Sequence, residues 1–130
     1  PPHLRPDREW QGQRFVFNEA KGAEWQLCRL PGYIARDTTI AANTHDVATV
    51  QVVRKGQGTP EFATHDADIL FGFVMEGGMT LEGEGRDPMP LVAGDAFVIP
   101  PGLPTRWTDP SADLEVLEVA LPGRFDTTVL

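Results

Sequence analysis

Every apolar stretch of this chain meets a glycine, proline or aspartate turn before it reaches the length of a helix. With 13 glycines and 12 prolines among 130 residues, no segment of about ten residues or more keeps a 3.6-residue apolar period. Strands are predicted at 14–17, 24–30, 34–41, 47–54, 69–75, 79–84, 96–99, 105–108 and 114–121. Turns separate them at Lys21-Gly22, Pro31-Gly32, 56–60, Gly77-Gly78, 85–90, Ala93-Gly94-Asp95 and 100–104. Short strands so spaced predict an all-β sandwich or barrel of antiparallel strands with under about 10% helix. The runs around 69–75 and 114–119 are the most apolar and are expected in the middle of the core.

The length suits one domain with a single core. Residues 1–12 carry three prolines and several charges without apolar periodicity, so they are expected to form an extended arm, with a single barrel domain over 13–130. A balance of 19 acidic against 11 basic residues, net charge −8, disfavours nucleic acid and anionic membrane surfaces as partners. Cys28 is the one cysteine, which rules out an intramolecular disulfide and a cysteine-type zinc cluster. No run approaches the roughly 18 apolar residues of a membrane helix, and the first residues lack the apolar core of a signal peptide. A cytoplasmic location is expected.

The most specific signal is the segment 94–107, with Gly94, Pro100 and Gly102 followed by Thr105 and Trp107. It resembles the second motif of the cupin superfamily: a glycine, five residues, Pro-x-Gly, two residues and a histidine. The first cupin motif, a glycine, five residues, His-x-His, a glutamate after three or four more and a closing glycine, is matched in spacing by Gly58 and Gly77, with Phe73-Val74-Met75-Glu76-Gly77 as its apolar strand and turn. The resemblance, to small single-domain RmlC-like cupins, implies a double-stranded β-helix, that is, a jelly-roll barrel.

It also implies where a metal is held. In the family, the two histidines, the glutamate and the histidine of the second motif point inward onto a divalent ion such as iron, manganese, nickel or zinc. Residue by residue, these places fall on Thr64, Asp66, Leu70 and Thr105, of which Asp66 is the one good donor. His65 lies between the first two, and strict strand alternation puts it on the opposite face from Thr64, Asp66 and Leu70, as a rim histidine. A different gap would make it the second histidine, with Ala63 in place of the first, and it is retained as a candidate metal ligand on that reading. His45 reads as a turn residue and His3 as part of the arm. No metal cofactor is favoured.

A pocket without metal is expected to be lined by Asp66, Leu70, Gly72, Val74, Thr105 and Trp107, mostly apolar with a few polar groups. Trp107 serves equally as pocket wall or core filler. Gly72 inside an apolar strand suggests a close approach by a neighbour. Asp66, Asp68 and Glu118 are acid–base candidates if buried. Three functions stay open: a cupin that binds a small organic molecule with its metal site replaced; a metal-dependent enzyme of dioxygenase, isomerase, lyase or cyclase type using His65 and nearby carboxylates; and a non-catalytic dimerisation or interaction domain. A homodimer is expected, because a jelly roll leaves strand edges open.

Overall fold

The alternation of apolar and polar residues resolves into two facing antiparallel sheets in a computed structural model that describes residues 9–10, 13–14, 25–37 and 47–130. The strands are β1 (Glu9–Trp10), β2 (Gln13–Arg14), β3 (Gln26–Leu27), β4 (Tyr33–Asp37), β5 (Thr49–Lys55), β6 (Ala63–His65), β7 (Ile69–Glu76), β8 (Gly78–Gly83), β9 (Met89–Val92), β10 (Ala96–Val98), β11 (Thr105–Thr108), β12 (Glu115–Leu121) and β13 (Thr127–Val129). One sheet has the order β10-β7-β12-β5-β4-β3, the other β13-β6-β11-β8-β9, and β1 pairs with β2. There is no helix among the described residues, hence none long and apolar enough to cross a membrane. The arm expected over 1–12 falls outside the described residues except for Glu9–Trp10.

Four strands were not expected from the sequence: β1, β6, β9 and β13. Residues 85–90 were expected to be a turn, yet Met89 and Pro90 already pair with Leu81 and Thr80. Proline is tolerated there because β9 is an edge strand whose outer side needs no donor. The expected turn at Ala93-Gly94-Asp95 carries the chain from β9 in one sheet to β10 in the other. Gly94 takes a positive φ of 98°, which a side chain would strain. Asp95 caps the turn by accepting the Val92 amide at 2.8 Å.

Strand β7 explains why its sequence is apolar at nearly every position. Leu70, Gly72 and Val74 point into the barrel and are buried, while Phe71 and Phe73 are half-buried on the outer side. On that outer side, register rows align Val98, Phe71, Val119 and Val50, and next to them Ala96, Phe73, Leu117 and Val52. The inner rows align Phe97, Gly72, Glu118 and Gln51.

Gly72 is required by that inner row. A Cβ there would sit 2.2 Å from Cζ of Phe97 and 2.6 Å from its Cε atoms, so the ring lies directly on the glycine backbone. The same ring meets Trp107 edge-on at 5.7 Å between centroids, and Trp107 meets Tyr33 in like fashion at 5.2 Å. Gly72→Ala is therefore expected to cost about 1–3 kcal/mol through overpacking, read by urea denaturation. In a Phe97→Leu background the same substitution should cost clearly less; an equal cost would mean the ring is not the reason.

Candidate functional site

Strand β6 sets the phase of the site. Ala63 and His65 are buried, Thr64 is half-buried on the other face and Asp66 is exposed. This corrects the expectation that His65 is a rim histidine on the face opposite Leu70: it is 5% exposed and points inward. Strict alternation does not carry across 66–68, because these residues are not in a strand and β6 and β7 belong to different sheets, so alternation restarts between them. The structure follows the other gap, and the family's four inward places are held by Ala63, His65, Leu70 and Thr105.

Both nitrogens of His65 are engaged by the backbone. The Ala67 amide donates to Nδ1 at 3.1 Å, which leaves Nδ1 without a proton and assigns the proton to Nε2. Nε2 then donates to the Ile99 carbonyl at 2.7 Å. The ring also meets Phe125 edge-on at 6.1 Å. With alanine, leucine and threonine at the other inward places, the donor set does not fit a divalent metal, which needs several free, convergent ligands. Among the described residues no group of three or more His, Cys, Asp or Glu is placed to hold one. His45 and His3 lie outside the described residues.

The expected pocket residues separate. Leu70 and Val74 are wholly buried, Trp107 is 2% exposed within the aromatic stack, and Gly72 lies beneath Phe97. Asp66 faces outward, where its Oδ1 accepts the Asp126 amide at 2.6 Å. Thr105 borders a cavity. That cavity, about 270 Å³, is a slit between the β8–β9 hairpin and β10, walled by Leu81, Met89, Phe97, Ile99 and Leu103 with Thr105 among them.

Of the three acid–base candidates, Asp66 and Asp68 are exposed whereas Glu118 is 2% exposed. Its burial follows from β12, where Val116, Glu118 and Ala120 alternate inward. The carboxylate is fully partnered: Arg29 donates from Nη2 to Oε2 at 2.7 Å and from Nε to Oε1 at 3.3 Å, and Gln51 donates from Nε2 to Oε1 at 2.8 Å. Arg29 further donates from Nη1 to the Thr127 hydroxyl at 3.2 Å and lies over the Phe125 ring. It thus ties β12 of one sheet to β13 of the other. Arg29 sits just after β3, and nothing in its sequence surroundings pointed to this role; an acidic residue at an inward phase of a strand was the visible signal that Glu118 needed a partner.

Nearby, burial pushes the Cys28 thiol up, assisted by the Glu118 charge. It likewise raises the Tyr33 phenol, whose hydroxyl donates to the Trp107 carbonyl at 2.8 Å. Neither group is an activated nucleophile or base at neutral pH. Removing one half of the buried ion pair, by Glu118→Leu or Arg29→Met, is expected to cost about 3–5 kcal/mol, and the double variant distinctly less than the sum. Guanidinium denaturation of the three variants reads this; additive losses would show the pair is not coupled.

The cupin domain model matches residues 49–120, more than half of the chain. No curated protein matches it. Among solved structures, the polyketide cyclase RemF from Streptomyces resistomycificus superposes with a TM-score of 0.73 at 21% identity, covering 89% of this chain and 85% of its own. KdgF from Halomonas sp. gives 0.66 at 22% identity, covering 85% and 95%. The Streptomyces nucleoside dehydratase Pac13, solved with uridine, gives 0.68 at 16%, covering 86% and 88%. At these identities the likeness carries the fold. A barrel of two facing antiparallel sheets, the Gly94, Pro100 and Gly102 spacing and the match over 49–120 together identify the chain as a member of the cupin family.

Proposed function

We propose that this cupin binds a small organic molecule in its barrel without a resident metal. One observation carries the reading: the single histidine at the family's inward places has both ring nitrogens engaged by the backbone. The other three places, Ala63, Leu70 and Thr105, offer one neutral hydroxyl. Pac13, solved with uridine, supports the idea that such a barrel can accept an organic ligand. The metalloenzyme alternative asks His65 to break two backbone hydrogen bonds and still finds too few partners, since Asp66 faces outward. Half-buried Cys28, with its raised thiol, accords with a reducing cytoplasm.

A homodimer is proposed on a separate observation, the apolar outer side of the six-stranded sheet, where Ile69 and Val98 are 48% and 61% exposed. Ile69→Lys with Val98→Lys should shift sedimentation from dimer to monomer. A wild-type monomer at high micromolar concentration would end this part of the reading.

Metal content is the test of the main reading. Protein purified without chelators and titrated with iron, manganese, nickel and zinc is expected to take up no tight equivalent. Thr105→His should not change that, because Leu70 and Ala63 still withhold ligands. One tight equivalent in the unmodified protein, with His65 among its ligands, would return the enzyme reading.

A further inference from the structure

We infer that the slit between the β8–β9 hairpin and β10 is the ligand site, and that it takes an uncharged molecule of one or two fused rings bearing a single hydrogen-bonding group. This rests on the metal-independent reading above and adds to it the place and the chemical class.

The position of the slit gives it a way to open. β9 and β10 are the edge strands of their two sheets and pair only on their inner sides. They can part without breaking ladder hydrogen bonds between them. The turn that joins them is held to β7 and the residue after it: Ala93 donates to the Gly77 carbonyl at 3.0 Å, and Gly94 to the Val74 carbonyl at 2.8 Å. The turn is therefore anchored, and β10 is held at its far end as well, by the Ile99 amide on the Leu70 carbonyl at 3.0 Å and the Ile99 carbonyl on His65, so any opening falls to the β8–β9 hairpin, which carries Met89. Met89 forms an apolar lip there, 55% exposed, and an exposed apolar residue beside a concavity is characteristic of ligand grooves.

The lining gives the ligand's class. A cavity of about 150 Å³ holds benzene, so about 270 Å³ accommodates a fused double ring. Phe97 offers a fixed aromatic wall, since its ring is seated on Gly72 and braced by Trp107. Thr105 supplies the only hydroxyl in the lining. The two charged lining residues, Arg86 and Asp87, are exposed, adjacent and of opposite sign, so the interior holds no counter-ion for a charged ligand. A carboxylate would lose its hydration without compensation, and the net charge of −8 repels it further.

The probes are 2-naphthol, naphthalene and 2-naphthoate, titrated into the metal-free full chain with chelator present, by calorimetry and by amide chemical-shift mapping. Expected is binding of 2-naphthol at least tenfold tighter than 2-naphthoate, with the largest shifts at 96–105. Thr105→Val should lower 2-naphthol affinity three- to tenfold, to the level of naphthalene. Gly83→Leu should abolish binding of both neutral probes: a Cβ there lies 3.3 Å from Arg86 Cδ, the end of a flexible side chain, and 3.8 Å from Leu103 Cδ2, both residues of the slit lining, so the larger side chain fills the slit. Unaltered 2-naphthol binding in both variants overturns the slit as the site while leaving metal-independent binding intact. Failure of all three probes to bind at millimolar concentration also overturns the inference. Binding that appears only after iron, manganese, nickel or zinc is added overturns the underlying reading instead.

Discussion

The imidazole of His65 fastens the two sheets to each other at the point where related barrels would hold a metal. Its Nε2 reaches from β6 to the carbonyl of Ile99 just beyond β10, and its Nδ1 secures the following turn through the Ala67 amide. The carbonyl of His65 accepts in turn from Gly102, within the Pro-Pro-Gly turn of the second motif. A buried imidazole in this arrangement leaves no lone pair exposed. What the barrel interior does chemically depends on this commitment, because the remaining inward groups at that level are a methyl, an isobutyl and a hydroxyl.

The rest of the interior is organised by one more polar cluster and one aromatic stack. Arg29 and Gln51 neutralise Glu118, which keeps a charge inside the barrel tolerable and joins β12 to β13 through Thr127. Tyr33, Trp107 and Phe97 fill the centre edge to face, with Gly72 making room for the last ring. These two features fill the space between the two sheets at the barrel centre. A cavity of about 270 Å³ lies to the side, against β9 and β10.

Much of this was readable from the residues. The glycine and proline spacing marked nine of the thirteen strands among the described residues, missing β1, β6, β9 and β13, and the Gly94, Pro100 and Gly102 pattern pointed to the barrel. Gly72 drew notice as a glycine in an apolar strand, and the close approach it suggested is the Phe97 ring. What could not be read was phase across a sheet boundary: Asp66 to Asp68 interrupt the strand, so the face of His65 could not be extrapolated from Leu70. Strand β9 was hidden by Pro88 and Pro90, which look like turn residues until the strand is known to be an edge. Arg29 was invisible because its partner lies 89 positions away, and no local pattern encodes so distant a contact.

The most direct test of a barrel that works without a metal is the protonation pattern of His65, seen in long-range proton–nitrogen correlation spectra of the imidazole. The account predicts an unprotonated Nδ1 and a protonated Nε2, both unmoved when zinc or iron(II) is added in excess. A free, unprotonated Nε2 whose resonance shifts or broadens on metal addition would contradict it.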